Sequence, residues 1–350
     1  MKKTVFFLKD SRIHDWLISG FVKRDFPVQF MGMINPSELR AMSRIRRIIS
    51  LHFRYAQLSL KSLLKSRRGD VIICFLDVMG LYLFLLSRIL FSRREIIVIN
   101  IMFNDGSDFL TSIKRKMFRM MLKNNRVHPT VTSSELSAIY KELFRIPEKH
   151  FYLLHDCYGD QEIYADRPEE GDYVFCGGTN GRDWKTLIKA ADLLPDIRFV
   201  VVGPQRNTLG DKIPGNIEYF FNVSYNDFQK MMLKCSIVAL PLNTEAPAGL
   251  IVLFSAGLMH KPLVSTNNYT LREYVTSGEN GFLIEPGDYL TLAEKIKELN
   301  EDSLKRGEFG DRLFKKVVEI GSPHAFTEKV IEIVKQSQPV EPGLQSRDLK

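Results

Sequence analysis

Short β-branched and aromatic runs alternate with longer helical stretches along almost the whole chain, and few folds accommodate that rhythm. Strands are predicted at Thr4–Leu8, Val28–Met31, Val71–Phe75, Ile96–Ile101, Thr130–Ser133 and Phe151–Leu154, with a helix around Ile13–Val22 and a long basic helical region ending near Ser66. The pattern restarts with strands Tyr173–Phe175, Phe199–Val202, Ile217–Phe220, Ile237–Leu240 and Leu263–Thr266, separated by helices such as Lys185–Leu193, Tyr225–Lys234 and Gly249–Met259. Helices over Tyr289–Leu299 and from about Arg312 to Lys335 follow. Apolar runs without alternation, divided by helices, belong to parallel sheets covered on both faces. The acid-rich stretch Tyr158–Gly171, carrying Gly159 and Pro168, is the natural linker between two such sheets.

The expected architecture is therefore α/β: two Rossmann-like doubly wound domains facing a central cleft. The first would occupy residues 1–165 and the second 172–310, with a helix over 311–337 returning to the first domain and a disordered tail over 338–350. A chain of 350 residues, 45% of them apolar, can bury two cores of that size.

Charge is unevenly divided. The first 150 residues carry a net charge of +15 and the remainder −7, together the +8 of the whole chain. So strong an asymmetry suits a first domain that meets an anionic surface. Two basic regions stand out, Arg44–Arg68 and Lys114–Arg126, and the second interleaves its cations with Ile113, Met117, Phe118, Met120, Met121 and Leu122, as in a helix lying on an anionic bilayer. No nucleic-acid module or aromatic platform accompanies the cations, so nucleic acid is not an expected partner. The apolar run Val71–Phe91 is interrupted by Asp77 and Gly80 and reads as strand, loop and packed helix rather than as a membrane span. The first residues lack a secretory apolar core, which implies a cytoplasmic location, and the basic first half suggests a peripheral place on the inner face of the membrane. Cys74, Cys157, Cys176 and Cys235 lack metal-ligand spacing and read as reduced, mostly core, residues; no metal is expected.

The segment Glu245–Asp288 carries the densest chemical signal. Ala248 and Gly249 present little side chain in front of an apolar helix, so the amide groups that open the helix at Leu250 would meet an anion directly. Lys261-Pro262 ends the helix, and Asn280-Gly281 and Pro286-Gly287 supply turns. This order of motifs resembles the signature region of GT-B glycosyltransferases, in particular those related to family 4. Lys261-Pro262, Asn280-Gly281 and Pro286-Gly287-Asp288 match its pattern, whereas Pro247 and Ser255 stand where the family has two glutamates. The resemblance implies that the second glutamate position, here Ser255, faces the nucleotide ribose, and that Glu245 could stand in for the first.

The resemblance further implies a cation clamp on the donor diphosphate at the start of the second domain. There Gly178 occupies the arginine position and Arg182 the lysine position, after the Gly177-Gly178 pair that ends a strand. Gly203-Pro204 and Pro241-Leu242, at the ends of neighbouring strands, would shape the base pocket. In the first domain Asp77 and Asp105 end strands and either could accept a hydroxyl proton. The implied activity is sugar transfer from a UDP or GDP sugar, without a cofactor, to a hydroxyl on a lipid-linked or polysaccharide-precursor glycan. The competing readings are a sugar-nucleotide epimerase or hydrolase of the same fold and a non-catalytic ligand-binding protein.

Overall fold

The computed structural model describes residues 3–9, 13–32, 43–103, 105–205, 213–245 and 247–337, and the expected tail lies outside them. Two compact units emerge: one takes in the chain as far as His155 and resumes at Phe326, and the other runs Asp156–Ala325.

The first unit is a six-stranded sheet built from β1 (Val5–Leu8), β2 (Val28–Met31), β3 (Val71–Cys74), β4 (Glu95–Val98), β5 (Val127–Val131) and β6 (Tyr152–Leu153), in the order β2-β1-β3-β4-β5-β6. Every pairing is parallel. Between the strands lie α1 (Asp15–Val22), α2 (Arg44–Lys65), α3 (Asp77–Ile89), α4 (Phe109–Leu122) and α5 (Ser134–Leu143). β1 and β3 are buried at every residue and wholly apolar, VFFL and VIIC; β4 is buried as well, and its one charged residue, Glu95, is met there by His128 Nε2 at 2.8 Å. Helix starts are set by local acceptors: Asp108 receives the Thr111 amide at 2.9 Å and Ser133 the Leu136 amide at 3.1 Å.

Two departures from the sequence reading occur here. Asp77–Gly80 is the first turn of α3, not a loop: Gly80 packs so closely on β4 that a Cβ would lie 2.8 Å from Val98 Cγ2. β5 begins at Val127, ahead of the predicted Thr130, and runs through Pro129 opposite Val98. A proline without an amide donor reads as a boundary, yet this one is carried inside the strand.

The second unit repeats the plan with β7 (Tyr173–Gly177), α6 (Trp184–Asp192), β8 (Arg198–Gly203), β9 (Ile217–Phe221), α7 (Tyr225–Leu233), β10 (Ile237–Leu240), α8 (Leu250–Leu258), β11 (Leu263–Thr266), β12 (Phe282–Ile284) and α9 (Tyr289–Glu301). Its order is β12-β11-β10-β7-β8-β9, again parallel throughout. One core, with Phe175, Leu253, Phe254 and Tyr274, lies on the α8 face, and another, with Leu187, Phe199, Ile296 and Phe309, on the other. The single helix expected over Arg312–Lys335 is two, α10 (Ser303–Ile320) and α11 (Pro323–Gln336). Pro323 cannot donate to the preceding turn and is suited to open a new one, while Ser322 Oγ receives the Ala325 amide at 3.1 Å. From Phe326 onward α11 belongs to the first unit, where Phe326 meets Trp16 edge to face at 6.0 Å.

Candidate functional site

In an open parallel sheet the ligand crevice lies at the carboxyl edge where successive strands diverge to opposite sides. In the second unit that switch falls between β7 and β10. The loops after these strands are fastened together: the Asp183 amide donates to Pro241 O and the Asn243 amide to Gly181 O, both at 2.9 Å, and Arg182 bridges Leu242. Arg182 and Leu242 are thereby brought together, and a Cβ on Gly181 would lie 3.4 Å from Ala248 Cβ at the approach to α8.

Arg182 is 7% exposed, with Nε donating to Gly177 O at 2.7 Å and Nη1 to Asn180 O at 2.9 Å. Burial lowers its pKa, so the guanidinium is held at some electrostatic expense. Gly178, at φ +114°, lies beneath it, and a Cβ there would stand 2.5 Å from Nη2. Asp183 does not pair with Arg182. It caps α6, accepting from the Thr186 amide at 3.1 Å and from the Thr186 hydroxyl at 2.7 Å.

Gly249 is the N-cap of α8 in the left-handed conformation, φ +84°, and no side chain caps that helix. The first-turn amides of α8 are consequently open to an anion, with the helix dipole behind them. Ala248 and Leu250 are half-buried beside it and Glu245 is exposed. Leu242 is a core residue whose amide donates to Thr266 Oγ1 at 2.8 Å, which leaves it no polar group but its carbonyl. Gly203 is demanded by packing, since a Cβ would meet Tyr219 Oη at 2.5 Å and Trp184 at 3.0 Å; the same Tyr219 hydroxyl donates to Pro204 O at 2.5 Å.

Ser255 is buried in α8 and joined to residues that sequence reading did not select. Its Oγ lies 2.8 Å from Gln161 Oε1 and receives Gln229 Nε2 at 3.2 Å. These residues, with Tyr164 and Lys230, line a cavity of about 420 Å³. Gln161 joins from a stretch remote in sequence, so no local pattern announces it.

The first sheet has its own switch between β1 and β3, and Asp77 sits there, at the carboxyl end of β3. Its Oδ1 accepts the Val78 amide at 2.6 Å, and its buried Oδ2 has no hydrogen-bond partner among the described residues. Burial raises its pKa above the ordinary carboxylate value, partly countered by Lys114, whose Nζ lies 5.1 Å over the Phe103 ring and 5.4 Å over Phe118. Asp105 is different: it is exposed and paired with Arg115, whose Nε donates to Oδ1 at 3.0 Å. Among the described residues no cluster of His, Cys, Asp and Glu is arranged to hold a metal ion, and no helix is long and apolar enough to cross a membrane. All four cysteines are free.

Two parallel six-stranded α/β units of this kind define the GT-B fold of glycosyltransferases. Residues 179–316 match the family model described as Glycosyl transferases group 1, a segment that contains Arg182, the α8 N-terminus and Ser255. The 2-deoxystreptamine N-acetyl-D-glucosaminyltransferase of Niallia circulans is 28% identical over 135 residues, 35% of this chain and 34% of that protein. The chain thus matches about a third of the length of the curated relative. Sucrose-phosphate synthase of Thermosynechococcus elongatus superposes with a TM-score of 0.73 at 13% identity, covering 96% of this chain and 99% of the other. Anabaena HepE, crystallised in complex with UDP, gives a TM-score of 0.62 at 14% identity, covering 95% and 100%.

Proposed function

We propose that the protein is a metal-independent glycosyltransferase that holds a UDP- or GDP-type sugar on its second unit and transfers the sugar to a hydroxyl acceptor presented by the first. The observation that carries this is the uncapped, glycine-started N-terminus of α8 beside the buried guanidinium of Arg182 at the switch point of the second sheet. As the bond to the leaving diphosphate breaks, negative charge grows on its oxygens. Preorganised amides and a guanidinium in a site poor in water stabilise that charge without reorganising. Ser255, with Gln161 and Gln229, takes the place of the carboxylate that holds the ribose in the family, offering a neutral hydroxyl in a polar recess.

In the first unit Asp77 is the better candidate for a base than Asp105. One of its oxygens lacks a partner, and its raised pKa favours proton uptake, whereas Asp105 is neutralised by Arg115. The acceptor is a lipid-linked or polysaccharide-precursor glycan at the inner membrane face. Support comes from the +15 charge of the first 150 residues. Thermal unfolding in the presence of nucleoside diphosphates and nucleotide sugars tests the donor site. A ligand that binds only the folded state raises the melting temperature according to its affinity. UDP or GDP with its sugar conjugates should do so; a flat response to the whole panel rejects the reading.

A further inference from the structure

A membrane contact draws on positive charge, and in the first unit that charge gathers in the loops of one edge. The loops at the amino-terminal edge of the first sheet, residues 23–27, 66–70, 90–94, 123–126 and 144–151, hold ten Lys or Arg against three Asp or Glu. One of those acids, Asp70, is consumed internally, accepting the Thr4 amide at 2.9 Å and the Arg67 amide at 2.6 Å. The described loops at the opposite edge, where Asp77 lies, set Lys9 against Asp105 and Asp108. Among these described loops the excess of positive charge therefore lies on the side away from the candidate base, while Lys114 of α4 acts on Asp77 from the carboxyl edge.

At that basic edge α2 and α3 end side by side. Arg94 ties the two ends, its Nε donating to Ser66 Oγ at 3.2 Å, its Nη1 to Ser92 Oγ at 3.1 Å and its Nη2 to Ser66 O. Beyond Leu90 the chain makes a helix-ending turn in which the Ser92 amide reaches Ser87 O at 2.8 Å and the Phe91 amide reaches Arg88 O at 3.4 Å. Such a turn requires a left-handed residue, for which glycine is the usual choice. Here the residue is Phe91, at φ +50°, and it is 90% exposed. A bulky side chain is disfavoured in that conformation and an exposed ring gains nothing by burial, so the position is unfavourable twice over for the isolated fold. Ile89 of the same tip is 69% exposed, and Leu64, in the last turn of α2, is 71% exposed.

Next to the ring is a cavity of about 420 Å³ lined by Arg88, Arg93, Arg94 and Arg126 and by no acid. Among the described residues the side chains of Arg88, Arg93 and Arg126 have no acidic partner. α2 has no acid and six cations, of which Lys61 and Lys65 lie in its last turns, and Arg67 and Arg68 follow it directly. An apolar tip ringed by unpaired guanidinium groups matches the interface of an anionic bilayer, where hydrocarbon lies just beneath phosphate.

We propose that the α3 tip, Ile89-Leu90-Phe91, inserts into an anionic lipid surface, and that Arg88, Arg93 and Arg126 hold headgroup phosphates around it. The proposal rests on the membrane reading above and adds the place and the chemistry. The full chain is to be sedimented with phosphatidylcholine vesicles and with mixed phosphatidylcholine–phosphatidylglycerol vesicles at physiological salt, and its thermal unfolding recorded alongside. Phe91→Gly should weaken partitioning to the anionic vesicles at least about tenfold, the scale of one exposed ring left unburied. Because glycine suits the left-handed turn, the same variant should melt at or above the temperature of the unmodified chain. Arg88→Gln with Arg93→Gln should weaken partitioning about thirtyfold, from roughly fivefold per charge near the surface. If the unmodified chain binds the anionic vesicles and both variants bind as well as it does, the seat is elsewhere and this proposal fails while the membrane reading stands. If the unmodified chain ignores anionic vesicles, both fail. A lowered melting temperature for Phe91→Gly would make the ring a structural element and overturn the proposal.

Discussion

Replacing Arg182 with lysine separates two roles that the guanidinium combines. In the folded chain it is 7% exposed and spans Gly177 O and Asn180 O at 2.7 and 2.9 Å, fastening the loop that follows β7. Lysine retains the charge, but a single ammonium on a flexible stem does not reproduce the planar fork and forfeits one of the two bonds. A hydrogen bond from a charged donor contributes about 1.5–3 kcal/mol, so the variant should lose about 2 kcal/mol of stability. For a unit of this size that corresponds to a fall in melting temperature of about 4–8 °C. The second role shows only with ligand present. A diphosphate at a hundredfold excess over its dissociation constant stabilises the folded state by about 2.7 kcal/mol, and a clamp that has lost its fork should forfeit at least half of that increment. The assay is thermal unfolding of both proteins with and without UDP, repeated with GDP. If the variant melts lower but gains the same increment from the nucleotide, Arg182 is a loop staple and the clamp is refuted.

Gly178→Ala should cost about 3 kcal/mol and depress UDP binding together, because the side chain meets Arg182 Nη2 at 2.5 Å in a backbone region unfavourable to L-residues; urea unfolding with a nucleotide titration checks both. Asp77→Asn should lower turnover at least about a hundredfold, the low end for a positioned base, while Asp105→Asn changes it little. Since burial raises the Asp77 pKa, the active carboxylate should form above the ordinary range, so turnover climbs with pH past the point where an exposed aspartate would already be ionised. For stability the sign is opposite: the folded state holds that proton more tightly than the unfolded one, so ionising Asp77 costs stability as pH rises, and Asp77→Asn should melt higher than the parent at neutral pH. Lys149 is pushed down from 10.5 to about 8 by burial while its Nζ donates to Asn124 O at 3.1 Å. The unfolded chain then binds the extra proton between pH 8 and 10.5, and the stability of the parent relative to Lys149→Met should rise across that window; constant relative stability in pH-resolved denaturation would contradict it.

Much of the second sheet was legible because its central strands are buried on both faces, so runs such as SIVAL and RFVVVG could hardly be anything else. The α8 N-terminus was legible for a related reason: Ala248 and Gly249 announce an approach that larger residues would block. Pro129 misled because its missing donor reads as a stop, and the sequence does not reveal that the pairing around it tolerates the gap. The break at Gly321-Ser322-Pro323 was obscured by the apolar periodicity that continues on either side of it. The partners of Ser255 were beyond reach, since Gln161 lies 94 positions away and only the folded chain brings it to α8. The unpartnered oxygen of Asp77 is likewise a property of its surroundings, not of its neighbours in sequence.

The strands of the first sheet are short, and that sets a length. β1, β3 and β4 have four residues each, roughly 13 Å at about 3.3 Å per residue. If the proposed lipid seat holds one end of those strands and Asp77 acts as the base at the other, the hydroxyl to be glycosylated must stand clear of the lipid by at least that height. A sugar joined directly to its lipid anchor would fall short, whereas a chain several sugars long would reach. Strand length would then act as a measuring rod that admits only acceptors already extended.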